Sequence, residues 1–181
     1  MIADVAGARY VIVDSSLFLQ KPRGRHESSR GGLFASLAAS SSQTVDRFYE
    51  LYARRDADGV TRDYYLFYPE YFRTMACRLY LYGGRPAAVS RYWVVTFADE
   101  RGENGARRKR ITDLRSFAHY RDAMNAVLRA PAPNRRLVSI DPLETCIPLE
   151  PLVGYEAVFA SGERDPNSGR SAVQIFRRTQ E

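Results

Sequence analysis

Hydrophobic positions along this chain follow two rhythms, and each predicts its own kind of element. Arg9 to Leu19 reads Arg-Tyr-Val-Ile-Val-Asp-Ser-Ser-Leu-Phe-Leu, a β-branched run suited to a strand. Val45, Phe48, Tyr49 and Tyr52 fall at i, i+3, i+4 and i+7, which is one apolar stripe of a helix. Asp46 in its first turn suits the helix dipole, and Asp56-Ala57-Asp58-Gly59 supplies a stop. Thr74 to Tyr82 alternates instead, with Cys77, Leu79 and Leu81 on one side and Arg78, Tyr80 and Tyr82 on the other. That pattern predicts a strand, turned by Gly83-Gly84-Arg85-Pro86.

Further on, Ser90 to Phe97 and Arg107 to Leu114 read as two strands of a hairpin around a loop carrying Asn104-Gly105. Ser116 is the N-cap candidate of a second helix whose stripe is Phe117, Tyr120, Met124, Val127 and Leu128, ended by Pro131 and Pro133. Three short strands follow: Leu137 to Ile140, Tyr155 to Ala160 and Ala172 to Phe176. The last two are joined by turn chemistry from Ser161 to Gly169, and prolines at Pro142, Pro148 and Pro151 mark an irregular crossing between the first two. From Gln20 to Ser42 the composition shifts to Arg, Gly and Ser, which buries little surface and reads as a flexible arm. The expected class is α+β, an antiparallel sheet packed against two or three helices. The expected division is residues 1–43 as N-terminal strand and arm, and 44–181 as a single domain.

Composition narrows the partners. The 181-residue chain carries a net charge of +6 with a pI near 9.5, which invites an acidic partner. Only Lys21 and Lys109 are lysine; every other basic side chain is arginine. A GC-rich genome produces that ratio, and so does selection for the guanidinium fork, which pairs bidentately with phosphate and stacks on bases. The densest basic run is Arg107, Arg108, Lys109 and Arg110, either the solvated end of a hairpin or a finger that contacts phosphates without sequence preference. Arg23, Arg25 and Arg30 in the arm, Arg78 among tyrosines, and Arg135 with Arg136 complete the candidate nucleic-acid-binding set. The stretch from Tyr64 to Phe97 is dense in tyrosine, phenylalanine and tryptophan, which serve either as a sheet face for stacking bases or as cover for a neighbouring helix.

Catalytic and metal signatures are sparse. Neither a nucleophile elbow nor a phosphate-binding glycine loop occurs, and Cys77 and Cys146 have no partner at metal-ligand spacing. His26 and His119 are the only imidazoles. No cofactor is expected. No run of about 20 apolar residues offers a membrane span, and no signal-peptide pattern opens the sequence, so an intracellular setting is expected.

Two resemblances add to this reading. Tyr10-Val11-Ile12-Val13-Asp14-Ser15-Ser16 resembles the opening strand of PIN-domain nucleases, which implies a metal-binding aspartate at Asp14 and further carboxylates, for which Asp99 and Asp113 could be offered. The family's later Thr-x-Asp strand end is missing. From Thr44 to the end, the order of elements looks like the NTF2-like superfamily, a cone-shaped α+β fold whose first helix often carries a Phe-Tyr pair, here Phe48-Tyr49. The long hairpin before the second helix and a final strand without Asn-Asp depart from that pattern. The resemblance implies either a dimerising scaffold or a pocket enzyme, the latter with Tyr65, Trp93 or His119 inside the cone.

The leading expectation is a non-catalytic basic binding and assembly subunit of a larger intracellular particle. A ribonucleoprotein fits best, with RNA or acidic protein subunits as partners. A protein-protein scaffold or transport adaptor without nucleic acid is the alternative, and a small-molecule enzyme is the third. The first two differ in where the arginines point: gathered on one face, or dispersed and paired with carboxylates.

Overall fold

The structure, a computed structural model, describes residues 8–15, 44–101, 107–129 and 134–179. The arm with Arg23, Arg25 and Arg30, the Asn104-Gly105 loop, and Pro131 with Pro133 lie outside the described residues. In chain order the elements are β1 (Tyr10–Asp14), a 3-10 turn (Val45–Arg47), β2 (Tyr49–Arg55), β3 (Thr61–Phe67), α1 (Pro69–Arg73) and α2 (Met75–Tyr82). There follow β4 (Tyr92–Arg101), β5 (Arg107–Phe117), α3 (Tyr120–Leu128), β6 (Arg135–Val138), β7 (Tyr155–Ala160) and β8 (Val173–Arg178). The fold is α+β. The chain divides into two compact units, one drawn from Met1–Val45, Arg73–Ala87 and Leu149–Glu181, the other from Asp46–Phe72 and Ala88–Pro148.

The first unit is a three-stranded antiparallel sheet ordered β1-β8-β7, with α2 lying against β1. The N-terminal strand, expected in a segment apart from residues 44–181, is thus hydrogen-bonded to the last strand. Alternation along β1 turns Val11 and Val13 inward with Phe176, and Tyr10 and Ile12 outward. On the outer side, Ile12 faces Ile175 and Ile175 faces Phe159, making one cross-strand apolar row in which Ile12 is 63% and Phe159 52% exposed. The neighbouring row holds the Arg177–Glu156 ion pair at 2.6 Å.

α2 corrects the expected strand at Thr74–Tyr82. Thr74 has extended backbone and its Oγ1 accepts the Cys77 N–H at 3.3 Å, the N-cap arrangement. Gly83 sits at φ 60°, where a glycine ends a helix without strain, and its N–H donates to the Leu79 carbonyl at 2.8 Å. Ala76, Cys77, Leu79, Tyr80 and Leu81 are all buried, so the helix hides more than one stripe and its period is masked.

The second unit is a five-stranded sheet ordered β3-β2-β5-β4-β6. The β4–β5 hairpin pairs as expected, from Tyr92 opposite Phe117 to Arg101 opposite Arg107. The sheet is mixed rather than antiparallel, because β2 and β5 run parallel. β2 also corrects the expected helix over Thr44–Tyr52, and Phe48-Tyr49 stands at the junction of turn and strand. Tyr52 and Ala53 are adjacent, point to opposite faces, and are both fully buried. A central strand covered on both sides loses its alternation, and three aromatics at helical spacing then look like a stripe. β3 was not anticipated at all. One core cluster joins Tyr52, Leu66, Tyr68, Val95, Phe97, Ile111 and Val138, with Trp93 and Leu114 packed on it. α3 packs on β4, β5 and β6 and starts at Tyr120, since β5 runs on to absorb Ser116 and Phe117. Its buried residue is Ala123; Leu128, expected in the stripe, is exposed.

Candidate functional site

The basic run at the start of β5 anchors the site. Strand geometry sends Arg108 and Arg110 to one face of the sheet and Lys109 to the other, so the run is split rather than gathered. Arg107 pairs opposite Arg101 through its backbone, and its side chain lies outside the described residues. Arg108 reaches across β2 to the Asp63 carboxylate on β3. The small Ala53, central on β2, leaves room for that crossing. Arg110 Nε donates to Glu100 on β4 at 2.7 Å. Each of these side chains is more than a third exposed, so the pairs contribute little stability individually.

On the opposite face Lys109 meets Glu50, with Nζ 2.7 Å from Oε1 and 2.6 Å from Oε2. Glu50 is a hub. It accepts a hydrogen bond from the Tyr68 hydroxyl, which in turn lies 2.6 Å from the Tyr52 hydroxyl. Arg136 on β6 brings a guanidinium nitrogen to 3.5 Å from Glu50 and stacks over the Tyr68 ring at 4.8 Å. Lys109 also lies over the Phe97 ring, its ammonium 5.1 Å from the centroid. Burial pushes the Tyr52 hydroxyl up to about 12. Burial first, and then the hydrogen bond to Glu50, raise Tyr68 further. Both phenols therefore keep their protons and act as donors in a chain that ends on the carboxylate. The arrangement ties β2, β5, β6 and the Tyr68 turn to one acceptor; two cations against one carboxylate leave it a unit positive, on the half-exposed Arg136 side.

The remaining expected residues are scattered. Arg78 lies in the other unit, where it donates to the Glu150 carbonyl at 2.6 Å. Arg135 donates from Nη1 to the Ala126 carbonyl at 3.0 Å, near the end of α3. Tyr65 packs edge-on against Tyr49 at 5.8 Å, while Trp93 sits on the Tyr52 cluster, on the other side of the sheet. His119 occupies the N-cap position of α3 and makes no side-chain capping bond. Asp14 belongs to one unit, Asp99 and Asp113 to the other. Among the described residues no group of three or more His, Cys, Asp or Glu stands together as a metal ligand set. Nor is any helix among them long and apolar enough to cross a membrane.

Glu50, Tyr52 and Tyr68 are the site residues that sequence reasoning missed. The one available signal was Lys109 itself, a lysine in a chain that otherwise uses arginine almost throughout. No protein-family model, no curated protein and no solved structure matches the chain. The site's own geometry is therefore the ground for a functional reading.

Proposed function

We propose that the chain is a non-catalytic binding and assembly subunit that meets the surface of another protein. One observation carries this: Arg108, Lys109 and Arg110, the described side chains of the densest basic run, are each engaged by a carboxylate, from three different strands. A phosphate backbone would have to displace those partners before making the same contacts. Several arginines elsewhere are held in the same way, Arg62 by Asp56 and Asp58, Arg115 by Asp113 and Arg177 by Glu156, while Arg78 and Arg135 are held by backbone carbonyls. Dispersed, paired arginines are the pattern of a protein scaffold. They supply rim contacts that set register and orientation against a complementary surface, and modest affinity.

The ribonucleoprotein reading keeps one observation in its favour, the net charge of +6, which survives the pairing. The two are separated by size. The tagged protein is drawn from its own cells at low salt, and nuclease-treated and untreated halves are compared. A large particle indifferent to nuclease is the expected result. A particle that nuclease dissolves overturns the proposal in favour of RNA, and migration as a free monomer removes both.

A further inference from the structure

The β1-β8-β7 sheet ends in two edge strands, and the two are built differently. β7 carries a register shift between Ala157 and Phe159, the kind of bulge that spoils an edge for further pairing. β1 follows β8 in unbroken register from Tyr10 to Asp14, and no charge, proline or bulge interrupts Tyr10-Val11-Ile12-Val13. Among the described residues no strand lies on its far side.

The ladder fixes which way the backbone groups of β1 point. The Arg9 carbonyl accepts the Arg178 N–H at 2.9 Å, and the Ser15 N–H donates to the Ala172 carbonyl at 2.9 Å. Hydrogen-bonded pairs alternate along an antiparallel ladder, so Arg9, Val11, Val13 and Ser15 turn their backbone groups towards β8. Tyr10 and Ile12 therefore turn theirs the other way, to the far edge. The same two side chains are 49% and 63% exposed and stand on the outer, apolar side of the sheet. Backbone donors and acceptors thus line that edge beside an aromatic and a β-branched side chain.

We propose that β1 pairs antiparallel with β1 of a second copy of this chain, about a two-fold axis at Val11. That register sets Tyr10 opposite Ile12 of the copy, and Ile12 opposite the copy's Tyr10. Each of these residues then exchanges both of its outward backbone groups with the other strand. Aromatic and β-branched side chains facing each other across strands support the pairing, and each covers the other's exposed surface. Charge complementarity selects a copy of this strand. Arg9, whose guanidinium lies 5.8 Å over the Tyr10 ring, stands just before β1, and Asp14 ends it, so antiparallel pairing brings unlike charges together at both ends. A five-residue edge buries less than the roughly 1,200 Å² of a stable interface, so the dimer is weak and depends on concentration. The inference goes beyond the proposed meeting with another protein and does not rest on it.

The test uses the purified full chain, followed by sedimentation velocity and by amide hydrogen exchange over a rising series of concentrations. A monomer–dimer equilibrium is expected. The Tyr10 and Ile12 amides should exchange severalfold more slowly as the dimer forms, while those of Val11 and Val13, already bonded to β8, stay slow throughout. The double variants Tyr10→Lys with Ile12→Lys and Tyr10→Glu with Ile12→Glu should each stay monomeric. Their equimolar mixture should dimerise again, which misfolded chains would not do. A wild-type chain that is monomeric at every concentration overturns the proposal. So does a dimer whose Tyr10 and Ile12 amides stay fast, since it would stand on another surface, and so does a dimer that the lysine variant retains.

Discussion

The two sheets treat their faces in opposite ways. The β1-β8-β7 sheet hides Val11, Val13 and Phe176 and leaves the apolar row Ile12, Ile175 and Phe159 on its outer side. The five-stranded sheet carries carboxylate–guanidinium pairs over its exposed end and a buried tyrosine–carboxylate chain on its core side. Cohesion is apolar in the first and partly ionic in the second. Burial decides what each is worth: a fully enclosed ring or a carboxylate hub should matter far more than any surface pair.

The largest effect should come from the apolar unit. Phe176→Ala removes a side chain that is 1% exposed and should cost about 3–5 kcal/mol in urea unfolding. Next is Glu50→Ala, which leaves Lys109 and Arg136 without their shared counter-charge. The hub is partly screened, so about 2–3 kcal/mol is expected, less than for a fully buried pair. If Glu50→Ala proved neutral, the contrast between the sheets would collapse.

Alkaline pH sharpens the comparison by a different route. Tyr49 and Tyr52 are pushed up to about 12, in each case mainly by burial. The unfolded chain ionises its tyrosines near 10, so the stability these groups supply is complete below pH 10 and drains away as pH rises towards 12. Unfolding free energy against pH should fall in that window, with tyrosinate absorbance of Tyr52 and Tyr49 appearing only as the fold opens. Smallest is Arg108→Gln, which breaks an exposed pair with Asp63 and should shift stability by about 0.5 kcal/mol or less. A large loss there would mean that the ladder across Ala53 is structural.

Legibility in the sequence followed punctuation at the element ends more than periodicity within them. Tyr155–Ala160 was readable to the residue, and the β4–β5 hairpin and α3 to within a few, because turn residues, a glycine or prolines punctuate their ends. β2 and α2 exchanged identities, since both are buried on more than one side and their periods blur. Thr74 and Gly83 were the better guides to α2, as caps report on the backbone and not on which side is covered. The Glu50 hub was out of reach for another reason. Lys109 lies 59 residues from Glu50 and Tyr68 lies 18, and only the parallel register of β2 with β5 brings the lysine to the carboxylate.

The pairing of β1 with β8 has a consequence for the timing of synthesis. About 160 residues separate the two strands, and at translation rates of about 5–20 residues per second β1 precedes its partner by roughly ten to thirty seconds. Throughout that interval Val11 and Val13 have no strand beside them, while β2 to β6 can already assemble with one another. The newborn chain thus passes through a stage with one sheet closed and an orphan apolar strand at its front, the stage at which a chaperone has most to hold.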